Sequence, residues 1–123
     1  MGPLLMCEDE VRRVPPGIPG VYLLHAFDDG WGYYRPIYAG KADALDRRLA
    51  QHLVSRATAP EVAFVRVRVQ LYFSAAPVLD PFALDRVEAG LVLLLRPPFN
   101  RQVPTAQPVY CNLPPMVLER RTH

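Results

Sequence analysis

Two stretches near the start of the chain decide its fold: Gly20-Val21-Tyr22-Leu23-Leu24-His25-Ala26-Phe27 and Tyr33-Tyr34-Arg35-Pro36-Ile37-Tyr38-Ala39. Both are rich in aromatic and β-branched side chains, which favour strands. The residues between them, Asp28-Asp29-Gly30-Trp31-Gly32, have the composition of a turn. Pro36 is tolerated only at a sheet edge or at the start of a strand. The sequence therefore predicts an antiparallel hairpin with a long, aromatic tip.

Three further elements are predicted after the hairpin. Asp43 is a helix-capping residue type, and leucines at every fourth position predict a helix over residues 43–56. Residues 62–73 alternate between apolar and polar side chains, which indicates a half-buried strand. Asp80 caps a second predicted helix over residues 80–95. Together these elements predict an α/β (α+β) fold: a small three-stranded, mainly antiparallel sheet flanked by two helices.

The chain is expected to divide into three parts. Residues 1–17 are acidic and then Pro-rich, and we predict an extended lead-in because proline lacks the N–H that a helix needs. Residues 18–101 are predicted to form the folded domain. Residues 102–123 are a Pro-rich C-terminal extension, expected to wrap the core or to reach for a partner.

The composition is that of a globular protein, with 50% hydrophobic and 21% charged residues among 123. The apolar stretch Leu91–Leu95 is far shorter than a membrane span, and no signal peptide opens the chain, so we expect a cytoplasmic protein without a membrane partner. Cys7 and Cys111 are expected to be free thiols, because two cysteines make no disulfide framework.

Positive charge is concentrated in one part of the chain. Residues 1–30 carry a net charge of −3, whereas residues 31–56 carry +3. The single lysine, Lys41, lies in this basic segment, while the other cations are arginines. An overall charge of +2 is too small to identify a nucleic-acid partner, so the local distribution is the more informative feature.

Several enzyme classes lack support in this sequence. A phosphate-binding Walker loop needs glycine at position 35 and Ser or Thr at position 42, and the chain has Arg35 and Ala42. The histidines and cysteines do not have the spacing of a zinc site. Neither Ser55 nor Ser74 lies in the G-x-S-x-G motif of serine hydrolases.

One family does match. Gly20-Val21-Tyr22 followed by Tyr38-Ala39-Gly40-Lys41 resembles the paired signature of the GIY-YIG nuclease superfamily, with Ala39 in place of the usual isoleucine. Further positions match in order on the predicted helices and the loop after them, namely Arg48, His52, Glu88 and Asn100. The resemblance spans roughly residues 18–101 and is closest to the restriction-endonuclease branch.

The resemblance implies an endonuclease that hydrolyses DNA phosphodiester bonds with one Mg²⁺ (or Mn²⁺) per active site. Glu88 is then expected to hold the metal, and Arg48 to bind the phosphate with its planar guanidinium. Tyr22 is expected to be the base that activates water. A phenol with a pKa of about 10 is a poor base at neutral pH, so a nearby cation must assist it. Lys41, Arg48 or the metal would supply that charge.

The remaining matched residues have supporting roles in this interpretation. Tyr38 orients the water or the phosphate, and His52 relays a proton or contacts the phosphate. Asn100 fixes the loop beside the metal-binding helix. Lys41 is placed at the active site, where it lowers the effective pKa of a tyrosine or of water.

DNA contacts are predicted for exposed aromatic and basic residues outside the catalytic set: Trp31, Tyr34, Arg35, Arg47, Arg66 and Arg68. A hairpin tip packed on its own sheet or on a second subunit is an equal alternative. So small a domain covers little DNA, so a homodimer or a partner protein would supply specificity.

Two other functions stay open at this point. One is a non-catalytic module that binds nucleic acid or protein and retains the nuclease fold. The other is a small-molecule or structural role in which the Pro-rich extension docks a partner. Taken singly, each matched tyrosine, arginine or asparagine is more often a packing or surface residue, and only their joint order favours the nuclease.

Overall fold

A computed structural model of the chain describes residues 3–30, 32–53, 70–100, 103–113 and 116–119. Its elements are β1 (Leu4–Leu5), α1 (Glu8–Val11), β2 (Gly20–Asp28), β3 (Tyr33–Ala42), α2 (Leu45–His52), β4 (Leu71–Pro77) and α3 (Pro81–Leu95). The strands form one antiparallel sheet in the order β1-β4-β2-β3. The predicted α+β class and the predicted hairpin are therefore confirmed.

The N-terminal part differs from the predictions. The sheet has four strands instead of three, because Leu4–Leu5 pairs with Tyr72 and Phe73 of β4. Residues 8–11 form one helical turn inside the stretch expected to be extended. Proline does not prevent this turn, since the first proline after it is Pro15.

Three predicted boundaries also change. Helix α2 begins at Leu45 with Ala44 as its N-cap and no side-chain cap, so the predicted cap at Asp43 is wrong. Strand β4 continues to Pro77, beyond the predicted end at residue 73, while residues 61–69 and the predicted helical residues 54–56 lie outside the described part of the chain. Asp80 caps α3 as predicted, with its side chain accepting from the Phe82 N–H at 2.9 Å.

The sheet lies between helices on its two faces. One face of the central strand β2 presents Tyr22 and Leu24, which are buried with Leu45 and Leu49 of α2. The opposite face presents Val21, which packs with apolar side chains of β4 and α3: Ala76, Leu84 and Val87. The period of two along a strand and the spacing along each helix produce this layering.

Gly40 permits the closest approach between β2 and β3. It lies directly opposite Tyr22 in the strand register, and a Cβ at Gly40 would overlap the Cζ and Oη atoms of that tyrosine. The ring therefore crosses the neighbouring strand only because residue 40 has no side chain.

The C-terminal extension wraps the domain. We call residues 103–113 and 116–119 the C-terminal strap. The Val109 N–H donates to the Arg86 carbonyl of α3 at 3.0 Å, and the Glu119 N–H donates to the Arg13 carbonyl at 2.7 Å. Met116 is only 8% exposed and belongs to the main core. Of the two predicted roles for this segment, wrapping the core is the one that the fold displays. No helix in the described ranges has the length and apolar character needed to cross a membrane.

We expect Gly40→Ala to lower the free energy of unfolding by about 1–3 kcal/mol, because the new methyl group must displace the buried Tyr22 ring. Urea denaturation followed by circular dichroism measures this. Gly30→Ala in the hairpin turn is the matched control, since its Cβ would meet only the Asp28 carboxylate, at 3.3 Å. Equal stability of the two variants would contradict the assignment of Gly40 as a steric requirement.

His25 makes the stability depend on pH. Its side chain is 7% exposed, its Nε2 lies 2.8 Å from the Ser74 hydroxyl, and burial lowers the pKa of the ring. Below a pH of about 6.5 the unfolded chain takes up a proton that the folded chain does not, so stability is lost as pH falls. Urea denaturation at successive pH values measures the free energy of unfolding as a function of pH. Its slope below a pH of about 6.5 should be shallower for His25→Gln than for wild type. Identical slopes would show that His25 contributes nothing.

Candidate active site

Strand β3, helix α3 and the residues after α3 enclose a cleft of about 520 Å³. The polar side chains that line it include Tyr38, Lys41, Glu88 and Asn100 from the predicted site. These four residues come from distant parts of the sequence. The fold brings them together because α3 packs beside β3, and the loop that follows the helix returns to the same strand.

Two carboxylates lie on the wall formed by α3. Glu88 is half-buried, and this burial raises the pKa of its carboxyl group, while Lys41 acts in the opposite direction and Asp85 adds to the rise. Asp85 lies one turn before Glu88 and forms an ion pair with Lys41. That bond raises the pKa of the lysine.

Asp85 is the cleft residue that the sequence interpretation missed. Its spacing of three from Glu88 places both carboxylates on one face of α3, and this spacing could have identified it. Lys41 was predicted to act on a tyrosine or on water. Among the described groups, Lys41 pairs with Asp85 and interacts with Glu88, and its action on a tyrosine or on water stays a prediction.

A second group of polar residues lies behind the cleft, between β2 and α2. The Tyr22 hydroxyl is 2.8 Å from His52 Nε2 and accepts from Arg48 Nε at 3.3 Å. Tyr22 is 1% exposed and His52 is fully buried. Burial and the neighbouring Tyr38 raise the Tyr22 pKa well above its ordinary value, although Arg48 lowers it. Arg48 is thus the cation beside Tyr22, and it does not overcome the effect of burial.

Tyr38 joins the two groups. Its ring is 6.2 Å from the Tyr22 ring and 5.7 Å from the His52 ring, measured between centroids, and both pairs are close to perpendicular. Tyr38 also interacts electrostatically with Arg48 and lines the cleft. It is therefore the one tyrosine of the pair that meets the cleft.

Asn100 attaches the loop after α3 to the edge strand. Its side-chain oxygen accepts from the Ala39 N–H and its amide donates to the Ala39 carbonyl, each at 2.8 Å. The Phe99 N–H donates to the Ile37 carbonyl at 3.0 Å. The side chain thereby occupies both backbone hydrogen-bonding groups of one residue, as an added strand would.

The predicted DNA-contacting residues fall at different places. Tyr34 and Arg35 are exposed at the beginning of β3, and Arg47 is exposed on α2. Tyr34 contacts two aromatic residues that the sequence interpretation did not include: Phe27, with ring centroids 5.0 Å apart, and Tyr72, at 4.9 Å. These three rings form an aromatic row across β3, β2 and β4. Trp31, Arg66 and Arg68 lie outside the described residues.

The donor set of the cleft suits a magnesium ion. Within the described residues there is no group of three or more His, Cys, Asp or Glu side chains placed to hold a metal. Mg²⁺ commonly uses one or two carboxylates and keeps several water ligands. Glu88 with Asp85 provides such a set in a cleft with room for water.

The fold of this chain is similar to that of solved nuclease domains. No family model and no curated protein matches the chain. Solved structures of the GIY-YIG N-terminal endonuclease domain of UvrC from Thermotoga maritima do match it. The form bound to its catalytic magnesium is 26% identical, with a TM-score of 0.57 over 75% of this chain and 92% of that chain.

Two point mutants of the same domain, each bound to the catalytic divalent cation, match equally well. The Tyr-to-Phe mutant is 25% identical over 75% of this chain and 91% of that chain, with a TM-score of 0.57. The Asn-to-Ala mutant is 25% identical over 76% of this chain and 92% of that chain, with a TM-score of 0.57. The resemblance to the restriction-endonuclease branch is not tested by these structures and stays a prediction. In fold and in the order of its motifs, the chain belongs to the GIY-YIG nuclease superfamily.

Proposed function

We propose that this protein is an endonuclease that hydrolyses DNA phosphodiester bonds with one Mg²⁺, or Mn²⁺ in its place. The observation that carries the proposal is the convergence of Tyr38, Lys41, Glu88 and Asn100 on one cleft. The matched UvrC domain, with its bound magnesium, supports the same activity. The free cysteines Cys7 and Cys111 are consistent with a reducing compartment, and we place the protein in the cytoplasm.

Glu88 would hold the metal, with Asp85 as the second acidic group of the cleft. When bound, the metal ion would polarise the phosphate and stabilise charge on the leaving oxygen. The raised pKa of Glu88 reflects the cost of an ionised carboxylate in a partly buried position, which a divalent cation would offset. Lys41 would neutralise part of the acidic charge and keep the cleft attractive to a phosphate.

We assign the water-activating role to Tyr38 in place of Tyr22. The side chain of Tyr22 is buried, and its hydroxyl is already bonded to His52 and Arg48. Tyr38 lines the cleft and lies close enough to Arg48 to interact with its charge. Geometry thus favours the second tyrosine as the base.

Tyr22 and His52 then act as positioning residues. Arg48 is held from one side by the Tyr22 hydroxyl and along its own helix by the Gln51 side chain, at 3.0 Å. A guanidinium held in this way would offer a phosphate a planar positive charge in a fixed position. His52 is fully buried, so a direct phosphate contact, which the sequence allowed, is not part of this mechanism.

DNA would approach from the cleft side and extend along the surface predicted from the sequence. The aromatic row around Tyr34 offers rings on which unpaired bases stack, and Arg35 and Arg47 offer cations for phosphates. Trp31, Arg66 and Arg68 remain part of this proposal. A homodimer or a partner protein would supply sequence specificity, as the small size of the domain suggests.

Glu88→Gln is expected to lower the rate of plasmid nicking in Mg²⁺ by at least about 100-fold, since metal stabilisation of the transition state is worth several kcal/mol. Nicking is followed on agarose gels, with EDTA added to parallel wild-type samples. Glu8→Gln is the matched control, because Glu8 is exposed on α1, away from the cleft. Wild-type nicking by Glu88→Gln would overturn the catalytic proposal. Retention of DNA without nicking in either Mg²⁺ or Mn²⁺ would instead favour the binding module.

The two tyrosines should separate in their effects. Tyr38→Phe is expected to lower the single-turnover cleavage rate by about 10²–10⁴-fold with little change in stability. Tyr22→Phe should lower the free energy of unfolding by about 1–3 kcal/mol, because His52 and Arg48 lose a buried partner.

Tyr110→Phe, at an exposed strap residue, is the control for both measurements. Full loss of cleavage in Tyr22→Phe at unchanged stability, together with an active Tyr38→Phe, would return the role of base to Tyr22.

A further inference from the structure

The C-terminal strap forms one wall of the candidate active site. Val103, Pro104, Thr105 and Ala106 line the same cleft as Lys41, Asp85 and Glu88. The strap belongs to the part of the chain beyond the family resemblance, which ends near residue 101. The cleft of this protein is therefore bounded on one side by a segment that the nuclease motifs do not specify.

Helix α3 holds the strap in place through close backbone contact. The Val109 N–H donates to the Arg86 carbonyl at 3.0 Å, and Arg86 Nε donates to the Gln107 carbonyl at 3.3 Å. Gly90 allows this approach, because a Cβ there would overlap the Val109 carbonyl group. Further along, buried Met116 anchors the strap in the core. These contacts hold the strap beside α3 on the far side of residues 103–106.

The strap carries no charge over the cleft. Residues 102–118 contain no Asp, Glu, Lys or Arg. A segment that imitated DNA and blocked the site would carry acidic groups, and a segment that held a DNA backbone would carry basic ones. A neutral segment acts on the substrate through its shape and its hydrogen bonds, without ionic attraction or repulsion.

We propose, on the basis of the nuclease function above, that strap residues 103–106 restrict the cleft to an unpaired DNA strand. Single-stranded DNA or a single-stranded flap is then the substrate, and intact duplex is excluded. The stack-forming aromatic row on the exposed part of the sheet is consistent with unpaired bases.

The physical reason is the shape of the cleft. A volume of about 520 Å³ is that of a pocket for a small ligand, and Glu88 lines this cleft together with β3 and strap residues 103–106. A duplex that presents a phosphate to Glu88 would have to accommodate the strap close to its own phosphates, and residues 102–118 have no cation to attract them. An unpaired strand can bend so that one nucleotide enters the cleft.

The test compares one labelled oligonucleotide as a free strand and annealed to its complement, cut by the full chain in Mg²⁺. Wild type is expected to cut the free strand at least about tenfold faster than the duplex. Gly90→Ala is compatible with a helix interior, but its new methyl group would push against the Val109 carbonyl. This variant should bring the ratio of the single-strand rate to the duplex rate toward one, while the single-strand rate stays unchanged. Val109→Pro removes the N–H that binds Arg86 and should act in the same direction.

Val117→Pro is the control, since Val117 is a strap residue that is 85% exposed. Equal wild-type rates on the two substrates, or a ratio that neither Gly90→Ala nor Val109→Pro changes, would overturn the role of the strap while leaving the nuclease intact. If neither substrate is cut, the proposed nuclease function fails. Fluorescence anisotropy of the same DNAs then tests whether the strap selects the unpaired strand. Tighter binding of the free strand that Gly90→Ala removes supports the proposal, and equal affinities for the two DNAs overturn it.

Discussion

The ring of Tyr22 crosses the backbone of Gly40, and most of the structure around the site depends on this contact. It brings β2 and β3 together at the point where both signature motifs lie, and it directs the tyrosine hydroxyl toward α2. There His52 and Arg48 satisfy the hydroxyl. A buried hydroxyl without partners would cost free energy, so the hydrogen bonds and the glycine are required together. The motif Gly20-Val21-Tyr22 therefore needs Tyr38-Ala39-Gly40 for packing as well as for chemistry.

The polar groups of the buried layer and those of the cleft have different roles. Polar groups in the buried layer bond one another and set the position of Arg48, whereas groups on the cleft side remain open to a ligand. Glu88 shows the difference: none of the hydrogen bonds within the described residues uses its carboxylate, and burial raises its pKa. Lys41 and Asp85 form an exposed ion pair, which contributes little to stability. Their value lies in the charge that they place at the cleft.

The sequence predicted the elements whose patterns are local, and missed those that depend on distant contacts. The hairpin and α3 follow from strand composition, turn residues and the Asp80-Pro81 start. Leu4–Leu5 is too short for a periodic signal and becomes a strand only by pairing with β4. The motif placed Tyr22 in the site but did not show its depth, because alternation along a strand does not identify which face a helix covers. Asp85 lies outside the matched motifs, and its contact with Lys41 joins residues that are far apart in the sequence.

The strap extends this reasoning from the motifs to the substrate. Matched motif residues specify the reacting groups, but the shape of the space in front of them is set by whatever chain lies alongside. In this protein a neutral, proline-containing segment occupies that place, held by a helix that needs a glycine at residue 90 to receive it. A glycine inside a helix costs stability relative to alanine. Close contact with the Val109 carbonyl accounts for its presence, and this makes the strap a part of the domain instead of an appendage to it.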